Sequence, residues 1–203
     1  MVSAVSASRL YLALPANPTA AFENELARVL AATEPACLLL PDAAASEPGL
    51  DGTLRTMTAA RDIALLVEHD VERAASIGAD GVHLPPDAAR FREARERLGQ
   101  RAIVGIGCIE SRHEAMVMAE LGADYVAFAA LPGDRQAELI AWWSEIFVVP
   151  SVAFDVETPE AAARLAGLGA DFVAPAAVVW AGGDAAERIG AIASALHPGR
   201  NAA

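Results

Sequence analysis

The chain has 203 residues, 54% of them apolar, and a formal net charge of −12, which fits one compact domain with a substantial core. It has no basic cluster to hold nucleic acid or an anionic membrane surface, so neither is an expected partner. All 15 basic residues are arginine, and without a lysine amine no lysine Schiff-base chemistry is open to it.

From the N-terminus, Met1–Ser8 carries neither a basic region nor an apolar run, so no signal peptide is expected. Leu10–Leu14 then reads as a strand and Asn24–Ala32 as a helix. Strands follow at Ala36–Leu40, Ile63–Val67 and Gly81–Leu84, then a helix at Ala88–Leu98 and a strand at Ala102–Ile106. A helix at Glu110–Leu121 precedes strands at Tyr125–Phe128 and Val148–Phe154, and a helix at Pro159–Leu168 precedes the strand Phe172–Ala174. The strands are rich in Val, Ile, Leu and aromatics, as parallel strands buried on both faces are. The segments between them favour Ala, Leu, Glu and Arg, which form helices. No segment reaches the ~20 apolar residues of a membrane span. Cys37 and Cys108 lie in separate apolar segments with no motif spacing, which argues against a disulfide framework or a zinc site and suits a reducing cytoplasm.

Alternating strands and helices specify a parallel sheet, and an internal repeat closes it. Gly78-Ala79-Asp80-Gly81-Val82, Gly122-Ala123-Asp124-Tyr125-Val126 and Gly169-Ala170-Asp171-Phe172-Val173 recur 44 and 47 residues apart, ahead of every second strand. One period earlier, Thr33–Cys37 occupies the equivalent place with the motif lost. A period of two β/α units suits a ring of eight, so the fold is expected to be a closed (β/α)8 TIM barrel spanning residues 1–203 as a single domain. The glycine would end a helix in a left-handed cap and the aspartate would form the turn into the strand. Such turns lie on the stabilising N-terminal face, so Asp80, Asp124 and Asp171 are not expected to be catalytic.

The motif run Ala74–Leu84, with its Ala79-Asp80-Gly81-Val82-His83-Leu84 core, resembles the thiamine phosphate synthase family, which includes a thiazole tautomerase branch. The likeness returns at Ile103-Val104-Gly105, Leu121–Val126 and Gly167–Val173, and covers nearly the whole chain. It implies a reaction joining a pyrimidine diphosphate to a thiazole phosphate, with magnesium neutralising the leaving group, at the C-terminal mouth of the barrel. The family's stations are largely rewritten here. Its diphosphate-binding Gln, Arg and Lys fall in Leu38-Leu39-Leu40-Pro41-Asp42. Its Asn-Asp pair falls on Glu68-His69, and imidazole is a poor magnesium ligand. Its second metal aspartate falls on Ala88, or on Asp87 after a one-residue slip. Gly107 stands where the family has Ser or Thr, and Arg135 is the only cation of the shortened loop after the sixth strand. Phe154-Asp155-Val156 replaces a phosphate-binding glycine pair, Ala177 replaces a serine, and Ala129-Ala130 stands where tautomerases have His.

The site candidates are therefore Glu68, His69, His83, Asp87, Gly107, Cys108, Arg135 and Asp155, as ligand-binding positions at the mouth. No catalytic residue is assigned, and with the magnesium stations changed no metal or other cofactor is expected. Three readings stay open, in this order: a diverged family member that binds a small molecule but has lost synthase chemistry; an enzyme with new acid–base or metal chemistry on Glu68, His69, His83 and Asp87; and a working thiamine phosphate synthase. A homodimer is compatible with an apolar outer helix face.

Overall fold

A computed structural model describes residues 8–16, 22–42, 49–107 and 111–197. Eight parallel strands close into a barrel: β1 (Arg9–Ala13), β2 (Cys37–Leu40), β3 (Ala64–Glu68), β4 (Gly81–Leu84), β5 (Ile103–Gly107), β6 (Tyr125–Phe128), β7 (Ser151–Val156) and β8 (Phe172–Pro175), with β8 pairing back to β1. Each is followed by a helix: α1 (Phe22–Ala32), α2 (Leu50–Ala59), α3 (Val71–Ile77), α4 (Ala88–Leu98), α5 (Arg112–Glu120), α6 (Arg135–Ile146), α7 (Pro159–Gly167) and α8 (Ala185–Ala195). The closed (β/α)8 fold expected from the repeat is the fold observed. Among the described residues no helix is long and apolar enough to cross a membrane.

Strand parity sorts the buried side chains into two cores. In β6, Val126 and Phe128 join the layer under the helices, while Tyr125 and Ala127 fill the barrel interior. In β2, Leu38 and Leu40 face the helices and Cys37 and Leu39 the interior. Both faces are thus covered, which is why the strands read as continuous apolar runs.

The repeated aspartates bolt adjacent strands together at the N-terminal face. Asp80 Oδ2 accepts from Leu65 N on β3 at 2.8 Å, Asp124 Oδ2 from Val104 N on β5 at 2.7 Å, and Asp171 Oδ2 from Ser151 N on β7 at 2.8 Å. Each aspartate also donates its own N–H to the carbonyl of that same residue. The glycines that precede them, Gly78, Gly122 and Gly169, all have positive φ, as left-handed helix caps do. The repeat is structural.

One boundary differs from the sequence expectation. β7 begins at Ser151 rather than Val148, because Trp143 Nε1 donates to Val149 O at 2.7 Å and holds this segment as a loop. Val148 is left fully exposed.

Candidate functional site

The C-terminal ends of the strands form the mouth, and the candidates lie at different depths there. Glu68 ends β3 half-buried, and the Asp42 amide donates to its Oε2 at 3.4 Å. His69 follows with φ 60°, and its N–H donates to His83 O at 2.9 Å. Asp155 sits in an irregularity of β7 with φ 59°, its side chain exposed. Asp and His tolerate the left-handed region better than most residues, and such conformations cluster at functional sites. Asp155 therefore has a glycine-like backbone conformation where the resemblance places a glycine pair, but it adds a carboxylate.

His83 lies deeper. It is 7% exposed, and its Nδ1 stands 2.9 Å from Tyr125 Oη. Tyr125 Oη is in turn 2.9 Å from Tyr11 Oη, so one hydrogen-bonded chain crosses the barrel interior. The ring of Phe154 packs against both His83 and Tyr11, with centroids 5.4 and 5.2 Å apart. Burial lowers the His83 pKa to about 3, with a smaller contribution from neighbouring His69, so the ring is neutral. Burial likewise pushes both tyrosines well above the ordinary phenol value.

Two glycines make room for this chain. A Cβ on Gly105 would overlap the Tyr125 ring, and one on Gly107 would stand 3.1 Å from His83 Nε2. Gly107 thus belongs to the site through the side chain it lacks.

Asp87 and Arg135 are committed elsewhere. Asp87 caps α4, with Oδ1 accepting from Ala89 N and Arg90 N at 2.8 and 3.2 Å. The Arg90 and Ala89 amides hold its carboxyl below the usual range. Arg135 opens α6 and pairs with Glu138 at 3.4 Å, exposed. Cys108 lies outside the described residues. Glu68, His69 and His83 therefore adjoin one another, while Asp87 serves a helix end.

The donors at the magnesium stations do not fit that ion. The two positions that the resemblance implies hold His69 and Ala88, neither of them an oxygen ligand, and the neighbouring Asp87 engages its Oδ1 with the α4 amides. Among the described residues, no group of three or more His, Cys, Asp and Glu side chains is arranged to hold a metal.

Among the described residues, hollows open at the mouth. A cavity of about 170 Å³ is lined by Ala13, Leu14, Leu39, Pro41, Glu68, Phe154, Asp155, Pro175 and Ala177. It is apolar apart from two carboxylates. A groove of about 400 Å³ at the rim is lined by Asp42, His69, Asp70, Val71, Glu72, Leu84, Arg90 and Glu93. After β8, a 3-10 turn at Ala177–Trp180 buries Trp180, whose Nε1 donates to Ala13 O at 2.9 Å.

Sequence reasoning missed two features. One is the Tyr11–Tyr125–His83 chain, whose signal was strand parity: Tyr125 follows the repeat aspartate, and His83 lies two residues beyond the equivalent Gly81. The other is Gln136, buried at the start of α6, whose Nε2 donates to Phe128 O at 2.8 Å and Phe154 O at 2.7 Å. It ties the ends of β6 and β7 together beneath the mouth, and a lone glutamine beside a helix start carries no sequence signal.

Comparison with known proteins agrees with this architecture. The family described as thiamine monophosphate synthase matches residues 50–179. A thiamine-phosphate synthase of Rhodospirillum centenum is 41% identical over 186 residues, covering 85% of this chain and 89% of that protein. One from Erythrobacter litoralis is 42% identical over 143 residues, covering 66% and 67%. Among solved structures, a thiamine phosphate pyrophosphorylase from Pyrococcus furiosus superposes with a TM-score of 0.76 at 23% identity, covering 94% of this chain and 96% of that one, which speaks for the fold. Retained along the scaffold and matched over most of its length, the chain belongs to the thiamine monophosphate synthase family.

Proposed function

We propose that this family member binds a small, phosphate-free molecule at the barrel mouth and does not carry out magnesium-dependent thiamine phosphate synthesis. The charge of the mouth carries the reading. Among the described residues, the loops that follow the strands contain Asp42, Asp70, Asp87, Asp134, Glu157 and Asp184, six carboxylates, and not one Arg or Lys, with Arg164 and Arg188 of the flanking helices pairing Asp134 and Asp184 at 2.9 and 2.8 Å. A diphosphate brought there meets like charge, where a synthase must hold its leaving group with cations. The arginines nearest these loops are engaged or outnumbered. Arg135 faces Glu138, Arg112 lies over the Trp142 ring at 4.7 Å, and Arg90 shares its groove with Asp42, Asp70, Glu72 and Glu93. The poor fit of His69 and Ala88 to magnesium supports the same reading.

The decisive assay incubates the protein with magnesium, the pyrimidine diphosphate and the thiazole phosphate. No thiamine phosphate is expected, and turnover would overturn the proposal. Turnover is what the reading as a working synthase requires, which the names of the 41–42% identical relatives favour. Binding of the phosphate-free class is tested separately, by a rise in melting temperature across a panel of neutral heterocyclic metabolites.

A further inference from the structure

The cavity of about 170 Å³ at the mouth has an unbalanced lining. Leu14, Leu39, Pro41, Phe154 and Pro175 make its walls apolar, and Glu68 and Asp155 supply its charge. Glu68 ends β3 and Asp155 lies in β7, strands four apart in a ring of eight, so the two carboxylates enter one space from opposite sides of the barrel.

Nothing of opposite sign meets them. Among the described residues neither carboxylate is in an ion pair. The half-buried Glu68 takes a long hydrogen bond of 3.4 Å from the Asp42 amide, and the Asp155 carboxylate takes none. Segments 17–21 and 43–48, further along the chain after β1 and β2, contain no Arg or Lys. Donors are scarce as well. A carboxylate only accepts, and Pro41 and Pro175 have no N–H to offer. A molecule that fills this space gains from both carboxylates by bringing positive charge and donors, together with an apolar body for the walls.

We propose that the cavity holds a small primary ammonium, its charged head between Glu68 and Asp155 and its compact apolar body against Leu39, Pro41 and Phe154. The inference rests on the mouth being a ligand site, as proposed above, and names the ligand's charge. The three N–H donors of a primary ammonium serve both carboxylates at once, which a quaternary ammonium cannot do. The cavity is smaller than the ~300–1,000 Å³ pockets of drug-sized ligands, so the body is a short branched chain or one small ring.

The test is calorimetric titration of the full chain with isopentylammonium, its neutral counterpart isopentanol and the anion isovalerate. The ammonium should bind saturably and about tenfold or more tighter than the alcohol, and isovalerate should not bind. Glu68→Gln, which keeps the shape and removes the charge, should weaken the ammonium about tenfold and leave the alcohol unchanged. Asp155→Gly removes the other carboxylate at φ 59°, a conformation glycine adopts freely, and should also weaken the ammonium selectively; it serves if the glutamine variant fails to fold. An ammonium that binds no tighter than the alcohol, or equally well to both variants and the unsubstituted chain, overturns the inference. A neutral heterocycle that binds while the ammonium does not would keep the mouth as a ligand site and overturn its assignment to a cation. Thiamine phosphate formation in the assay above would overturn the loss of synthase chemistry without altering these titrations, so the two fail separately.

Discussion

His83 Nδ1 and Tyr125 Oη stand 2.9 Å apart inside the barrel, although 42 residues separate them in the chain. They meet because both occupy inward-facing positions and because Gly105, on the strand between theirs, leaves space for the tyrosine ring. With Tyr11 the pair forms the polar centre of the barrel interior, and its imidazole contributes to how the protein responds to acid.

The folded His83 pKa is about 3 against 6.5 for a free imidazole, because burial disfavours the cation. Between those values the unfolded chain holds a proton that the folded chain does not. Stability from this residue is therefore full above about pH 6.5 and is lost as pH falls toward 3. The loss should reach about 3 kcal/mol by roughly pH 4. In His83→Gln, which does not titrate, urea denaturation should show a visibly flatter pH dependence over this range; equal slopes would refute the buried neutral imidazole.

The strand bolts can be tested at Asp124. Its Oδ2 accepts from both Val104 N and Arg95 NH2 at 2.7 Å. Asp124→Ala should destabilise by about 2 kcal/mol, since it strands a backbone N–H at the barrel floor. Asp124→Asn keeps an acceptor and should cost about half as much. Binding at the mouth of any heterocycle that raises the melting temperature should not change in either variant, and a change there would contradict a purely structural role for the repeat.

Gly105 and Gly190 make a matched pair of alanine substitutions. A Cβ at Gly105 overlaps the buried Tyr125 ring, whereas a Cβ at Gly190 in α8 meets nothing. Gly105→Ala should cost about 3 kcal/mol through overpacking. Gly190→Ala should be neutral or stabilise by up to about 1 kcal/mol, as alanine favours the helix. Thermal denaturation of the two variants reads the difference directly.

Gln136→Leu keeps the approximate shape but removes both donations to Phe128 O and Phe154 O. We expect a loss of about 2 kcal/mol. Faster amide exchange should be concentrated at the end of β7 and the start of α6. Exchange spread evenly over the barrel would mean that the glutamine does not organise the mouth locally.

The sequence alone determined the barrel. Parallel strands covered on both faces must be apolar throughout, helices must be amphipathic, and the Gly-Ala-Asp turns recur because each performs the same local task at alternate strands. Those constraints act over a few residues or at a regular spacing, so Asp80, Asp124 and Asp171 were readable as structural before their bonds to Leu65, Val104 and Ser151 were seen. The acidity of the mouth was equally legible, since closing the barrel assigns every post-strand loop to one end.

What only the tertiary structure decided is the use of each mouth residue. Asp87 and Glu68 are both carboxylates at the C-terminal side of strands, yet one caps a helix and the other faces a cavity, because the direction of a side chain depends on backbone turns that residue type does not encode. Gly107 and His83 gained their joint meaning only when β4 and β5 paired and placed Nε2 beside a missing side chain. The Tyr11–Tyr125–His83 chain draws on three strands, and contacts between such distant residues are set by the closure and parity of the barrel rather than by any local pattern.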